Sequence, residues 1–288
     1  MKVYRLPIIL LTLFFAALSA VVVYRGRPIP PRTDPATSTK ERPWMNSLGM
    51  KFVPVTGTGV IFSVWETRRQ DYVAYAKANT GVNESWTTVG HGRVPLEREA
   101  DHPVVGVSWE DAEGFCRWLT EKERRDGYLG AVQSYRLPMD EEWSVAAGLA
   151  RENGASAKEK DEGIKDVYPW GSQWPPPSRA GNYADSAAKA KFGGWTVIDG
   201  YSDGYATTSP VGKYTENTQG LYDMGGNVWE WCEDWYDPSA KEWRVLRGAS
   251  WRNYGAVGLW SSVRHNLAST RRDIDFGFRV VLAGGSSP

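Results

Sequence analysis

Gly220-Leu221-Tyr222-Asp223-Met224-Gly225-Gly226-Asn227-Val228-Trp229-Glu230-Trp231 is the stretch that decides the fold of this chain. Large aromatics are interleaved with glycines and with acidic or amide side chains. Neither the 3.6-residue period of a helix nor the two-residue period of a strand runs through it. It reads as an ordered irregular loop, with glycine where the backbone must turn sharply or approach another group closely. Asp223 and Glu230 offer carboxylate oxygens, and the bent backbone between them offers carbonyls. Hard cations such as calcium take oxygen ligands of this kind.

The rest of the composition agrees with a loop-rich domain. Hydrophobic residues make up 41% of the 288 and charged residues 24%, ordinary values for a globular protein. A chain of that length can bury one large core or two small ones. Fifteen tryptophans, thirty glycines and seventeen prolines favour loops held by aromatic packing over a helical bundle. Formal net charge is zero and no basic stripe is visible, which excludes the electrostatic footprint of a nucleic-acid binder.

Lys2 and Arg5 precede an apolar run from Leu6 to Tyr24, which Arg25 and Arg27 close. The run is long enough to cross a bilayer and exceeds the roughly 7–15 apolar residues of a cleaved signal. Residues 1–27 therefore read as a signal-anchor that attaches the protein to a membrane. Leu18-Ser19-Ala20 leaves cleavage and secretion as the alternative, and a buried helix is the third reading. Either of the first two exports the remainder of the chain to a periplasmic or cell-surface location. Positive charge on both flanks leaves the orientation open. Residues 28–44, rich in proline, threonine and charge, read as a flexible linker, and residues 45–288 as one domain. Cys116 and Cys232 are the only cysteines, either paired or two separate buried thiols.

Within the domain, residues 60–65 alternate enough for a short strand, and Thr67 reads as the N-cap of a helix over 68–79. Residues 82–101 read as a surface loop. His102 to Trp109 reads as a strand running into a helix capped by Ser108, with Glu110 and Asp111 where the helix dipole favours negative charge. Ala112, Phe115, Cys116 and Leu119 recur at helical spacing. A second helix follows Leu137-Pro138, with Trp143, Ala146 and Ala147 on its apolar face and Gly148 as its stop. Residues 153–165 are a polar insertion without assigned structure, and Tyr168-Pro169-Trp170-Gly171 is an aromatic turn.

Six segments occur in a telling order: HPVVGVSWEDAEGFCRWL from His102, YRLPMDEEWSVAAG from Tyr135, YPWG from Tyr168, GLYDMGGNVWEW from Gly220, RVLRGASW from Arg244 and DFGFRVV from Asp275. Together they resemble the formylglycine-generating enzyme family, also called the sulfatase-modifying factor family. Met139 and Asp140 depart from its pattern, which has threonine and glutamate there. The resemblance implies an α+β fold of the formylglycine-generating-enzyme type, C-type-lectin-like and poor in regular secondary structure. It also implies two structural calcium sites. One falls on Asp223 and Glu230 side chains with Gly226 and Val228 carbonyls. The other falls on Asn182 and Asp203 side chains with Tyr183 and Tyr205 carbonyls.

The family's oxidase chemistry depends on two cysteine thiolates that bind copper(I), a soft ion that prefers soft ligands. They belong to the interval that here runs from Trp251 to Asn266, which contains no cysteine. Aligning Arg264 on the family's arginine puts Ala256 and Ser261 near the two lost positions, so copper is not expected. Cys116 matches a family cysteine whose disulfide partner falls near Val280. A related sulfoxide synthase uses iron held by three histidines; His91, His102 and His265 match no metal spacing. Ser261 and Ser262 lie near His265 without a nucleophile elbow. The reading is a catalytically silent module that presents its groove to a peptide or glycan. Trp251, Arg252, Tyr254, Trp260, Arg264, His265 and Asn266 are the candidate contacts, since aromatics and arginine dominate interface energies. The alternative is an enzyme acting on an exported protein partner by chemistry that does not use the cysteine pair.

Overall fold

The computed structural model describes residues 34–284 apart from 92, 93, 97, 98 and 150, so the expected signal-anchor at 1–27 lies outside the described residues. In chain order the elements are strands β1 (Trp44–Met45), β2 (Lys51–Pro54) and β3 (Val60–Ser63), helix α1 (Arg69–Ala78), the short strands β4 (Gly90–His91) and β5 (Val94–Pro95), and helix α2 (Trp109–Arg125). Strand β6 (Ser134–Arg136) and helices α3 (Asp140–Ala146), α4 (Ala157–Lys160) and α5 (Ser186–Phe192) follow. Strands β7 (Trp229–Trp235), β8 (Arg244–Arg247), β9 (His265–Leu267), β10 (Phe276–Gly277) and β11 (Val281–Ala283) complete the series. Residues 193–228 form neither helix nor strand. This is the loop-rich α+β architecture that the aromatic and glycine content favours.

One sheet has the order β1-β2-β3-β11-β6 and is antiparallel throughout; a second has the order β10-β7-β8-β9. In the second, β10 joins β7 in parallel, pairing Phe276 with Trp229. All four residues of β3 are buried. It lies between β2 and β11, so the half-exposed alternation expected over 60–65 gives way to two-sided burial. Phe52, Ile61, Tyr135 and Leu282 from the first sheet pack with Phe115 and Leu119 of α2 and with Trp231, Phe278 and Leu246 in the main core.

Helix α2 forms as its sequence dictates. The Asp111 backbone N–H donates to Ser108 Oγ at 3.2 Å, and the Asp111 carboxylate accepts from the Ser108 N–H at 2.9 Å. This reciprocal cap satisfies two N–H groups that a bare helix end leaves unpaired. Ala112, Phe115, Cys116 and Leu119 are all buried.

Four expectations are corrected. Helix α1 starts at Arg69, and its first turn is closed by Asp71 accepting from the Arg68 N–H at 3.0 Å; Thr67 is instead buried, its N–H bonded to the Phe278 carbonyl. Residues 102–107 form no strand. Pro103 carries no donor and Gly106 sits at φ +74°, so the extension ends after one isolated bridge to Arg68. The insertion at 153–165 is packed: Ser156 caps α4, Ala157 is buried and Asp161 accepts from the Arg264 N–H at 2.7 Å. The described part of the linker is built into the domain as well. Asp34 caps a 3-10 turn over Pro35–Thr37, Lys40 pairs with Glu216 at 3.1 Å, and Trp44 lies in the core. Cys116 and Cys232 are both free and buried. Among the described residues no helix is long and apolar enough to cross a membrane.

Candidate functional site

The deciding loop reaches β7 through three left-handed residues in quick succession: Asp223 at φ +55°, Gly226 at +83° and Asn227 at +58°. A Cβ on Gly226 would stand 2.4 Å from the Asn182 carbonyl oxygen, so glycine is required there by contact as well as by conformation. Asn227, fully buried, is the knot. Its backbone N–H donates to the Asn182 carbonyl and its carbonyl accepts from Trp251. Its amide oxygen accepts from Asn182 Nδ2 at 3.1 Å and from the Ser209 N–H at 2.9 Å. Its amide nitrogen donates to Glu66 Oε2 at 2.6 Å, while Glu66 Oε1 accepts from the Val228 N–H at 3.2 Å. One side chain thus ties together the two loops expected to hold calcium. Glu66 has no place in the sequence reading; its only signal there was an acid directly after Val64 and Trp65 and just before α1.

Three buried carboxylates, Glu66, Asp223 and Glu230, gather around one arginine, Arg279, itself fully buried. Arg279 donates to both Glu230 oxygens, at 2.7 and 2.6 Å, and Trp143 Nε1 donates to one of them at 2.9 Å. Glu230 is therefore the partner of Arg279 first and an oxygen ligand only by sharing. Asp223 accepts from the Gly212 N–H at 2.7 Å through Oδ2, while Oδ1 is buried without a hydrogen-bond partner. Burial pushes the Asp223 carboxyl up to about 6, against the pull of the Gly212 N–H and Arg279. Burial, with Asp223 and Glu230 adding to it, also raises Glu66 well above the carboxylate range.

In the second set, Asp203 accepts from the Tyr183 and Tyr205 N–H groups, each at 2.9 Å. Burial pushes it up to about 7, with Asp185 adding to the shift. Asn182 Oδ1 is buried without a partner, as Asp223 Oδ1 is. Each set thus holds one orphaned buried oxygen and a carboxylate whose charge burial disfavours, the donor chemistry that suits a hard cation.

The seven candidate ligand contacts separate. Trp251 and Arg264 are corrected to core residues. Trp251 is 1% exposed and stacks on Trp195 at 5.7 Å with 10° between the rings. Arg264 is 3% exposed and bonds Asp140 at 3.0 Å and Glu152 at 2.5 Å, with Arg247 joining Asp140 from the other side. Asn266 is fixed in β9 opposite Val245, and Trp260 is half-buried against the main core. His265 lies against Trp229 and Phe276, and burial lowers its pKa. Arg252 and Tyr254 do come together. Tyr254 is 47% exposed, Arg252 contacts Asp275 at 3.3 Å, and both line a cavity of about 380 Å³ with His91 and Trp195. His91, read from the sequence as a plain loop residue, enters this cavity edge-on to Trp195 at 5.0 Å.

No thiol reaches this cavity. Ala256 precedes a single 3-10 turn at Val257–Leu259, and Ser261 is buried with its N–H bonded to the Val167 carbonyl. Cys116 and Cys232 lie elsewhere, and burial raises both thiols well above their ordinary range. A thiolate is the form that reacts or binds soft metals, so these two are inert. Among the described residues no three His, Cys, Asp or Glu side chains gather as a metal centre.

The family profile of the sulfatase-modifying factor enzyme 1-like domain matches residues 32–283. The chain belongs to this family. This sulfatase-modifying factor domain is 35% identical over 196 residues to the inactive C-alpha-formylglycine-generating enzyme 2 of Mus musculus, covering 66% of this chain and 52% of the relative. The formylglycine-generating enzyme of Streptomyces coelicolor is 31% identical over 156 residues, covering 54% and 39%. The domain thus spans about half or less of the length of these relatives. Among solved structures, PvdO from Pseudomonas aeruginosa superposes with a TM-score of 0.51 at 24% identity, covering 78% of this chain and 80% of that one. Treponema denticola variable protein 1 gives 0.52 at 21% identity, covering 77% and 84%. These likenesses establish the fold of the formylglycine-generating-enzyme type.

Proposed function

We infer that this sulfatase-modifying factor domain is an exported, calcium-braced binding module without formylglycine-generating oxidase chemistry. The observation that carries this reading is chemical. The interval 251–266 holds no cysteine, and the chain's two thiols are buried elsewhere and held protonated. Copper(I) has no soft ligand pair at that position. The similarity to a relative whose name describes it as inactive points the same way. Residues 1–27 would hold the module to a membrane with the domain outside the cytoplasm. The cavity at Arg252, Tyr254, His91 and Trp195 would receive a peptide or glycan, free or carried by an exported protein.

Calcium supplies the positive charge that the buried carboxylates need. Asp223 Oδ1 with the Gly226 and Val228 carbonyls would hold one ion, and Glu230 would share its charge with Arg279. Asn182 Oδ1, Asp203 and the Tyr183 and Tyr205 carbonyls would hold the other. Chelation is expected to lower the thermal midpoint, and Asp223→Ala to remove the first ion's share. That share is roughly 2.7 kcal/mol when calcium stands about 100-fold above its dissociation constant. A midpoint indifferent to chelator would remove calcium from the proposal.

The silence of the site is tested directly. The protein is incubated with a sulfatase-derived cysteine peptide, copper and oxygen, and the peptide is followed by mass spectrometry. An unchanged thiol is expected; conversion to the aldehyde would overturn the reading. Peptide and glycan arrays probed with the protein and with Tyr254→Ala then test the cavity; some signal is expected to disappear in the variant, and the absence of any signal that the variant loses would exclude it.

A further inference from the structure

We propose that this domain carries a second ligand site, separate from the Arg252–Tyr254 cavity, that takes a pyranose unit of a neutral glycan. It is a cavity of about 500 Å³ lying between the end of α3, the Tyr168–Gly171 turn and two loops at 177–180 and 215–218. It shares no lining residue with the first cavity. The volume falls within the range of small-molecule sites, about 300–1,000 Å³.

The walls are prebuilt. Tyr168 and Gly171 exchange both backbone hydrogen bonds, at 2.7 and 3.0 Å, which closes the aromatic turn. Trp170 stacks on Tyr168 at 4.8 Å with 6° between the rings, and Tyr183, fully buried, backs Trp170 at 5.4 Å. The indole N–H of Trp170 is fixed on the Gln173 carbonyl at 2.8 Å. On the opposite side, the Thr215 N–H donates to the Arg179 carbonyl and the Arg179 guanidinium donates to the Lys213 carbonyl. The Asn217 amide donates to the Ala146 carbonyl at 2.8 Å, which ties the third wall to α3. Little ordering remains for a ligand to impose, so binding energy is not consumed in arranging the site.

The lining chooses the ligand class. One wall is a rigid aromatic stack, and Trp174, 40% exposed, leans on Tyr168 at 5.6 Å beyond the rim. The facing rim carries the exposed hydroxyls of Ser178, Thr215 and Thr218. Its two charged residues, Arg179 and Glu216, are of opposite sign, and Glu216 is already paired with Lys40. A pyranose has an apolar C–H face that lies on an aromatic ring, and hydroxyls in its plane that need donors and acceptors at the edge. The one arginine of the lining already donates to the Lys213 carbonyl, which leaves a phosphate or a polyanion little to bind. A peptide added as a strand needs an open sheet edge, and these walls are loops and a helix end.

The test titrates the whole protein with chitohexaose and mannohexaose, read by calorimetry and tryptophan fluorescence, and repeats the titration with a proline-rich peptide. At least one hexasaccharide is expected to bind with a fluorescence change. Trp170→Ala is expected to weaken it by about tenfold or more, as loss of an aromatic contact does, and Tyr254→Ala to leave it unchanged. Because Trp170 also supports the fold, Thr215→Val and Trp174→Ala are measured in parallel, and each is expected to weaken binding with the thermal midpoint unchanged. Failure of both saccharides to bind overturns the proposal. So does binding lost in Tyr254→Ala and kept in Thr215→Val and Trp174→Ala, or binding of the peptide in their place.

Discussion

Arg264 shows how far one side chain can depart from what its type suggests. Arginine is common among interface contacts, and in the sequence nothing local distinguishes Arg264 from half-exposed Arg252. Its fate is set by Asp140 and Glu152, which reach it from more than a hundred residues away. Removing one partner of a buried ion pair strands the other charge. Arg264→Met is therefore expected to cost roughly 3–5 kcal/mol, where Arg252→Met costs far less; urea unfolding of the two variants measures the difference. His265 makes a pH prediction. Burial lowers its pKa below the ordinary value of 6.5, with Asp161 and Asp273 opposing the shift. Between that lowered value and 6.5 the unfolded chain holds more protons than the folded one, so this residue's contribution to stability falls as pH drops through the window. Urea midpoints compared between about pH 7.5 and 5.5 are expected to fall more in the parent than in His265→Asn.

Elements were legible where their cause is local. The Ser108 cap and the apolar face of α2 need only neighbours within one helix. The irregularity of residues 220–228 was visible because glycine and aromatics together satisfy neither regular period, but Trp229–Trp231, read as part of the same loop, open strand β7. What holds that loop was not legible, because Glu66 lies 161 residues from Asn227. The stop of the 102–107 extension was written in Pro103 and Gly106, yet a run of valines outweighs them when only propensity is read. Gly226→Ala provides the element-scale test. Its methyl would meet the Asn182 carbonyl at 2.4 Å in a left-handed conformation. It is expected to destabilise the domain by well over the roughly 1 kcal/mol of an ordinary loop substitution. Gly255→Ala, with nothing within 4 Å of the added carbon, is expected to be close to neutral in the same melting assay.

At the scale of the whole molecule, stability rests on aromatic packing and buried ion pairs without a covalent staple. Both thiols are buried and unbridged. The thermal midpoint is therefore expected to be the same with and without reductant, and a thiol reagent to label neither cysteine until the protein unfolds. Labelling of the native state followed by mass spectrometry checks this. The six ordered segments made the family and the α+β class readable. The distribution of the seven candidate contacts was not, because it depends on which loop covers which.

Strand β11 sits between β3 and β6, so the sheet that opens with Trp44 has a gap in its middle until Val281–Ala283 arrives. During synthesis the earlier strands emerge with open edges facing each other across a missing rung. Completion of this sheet must wait until nearly the last residue of the domain has been made. A stop codon just ahead of Val281 would remove a central strand and leave a species prone to recruit a stranger's strand in its stead.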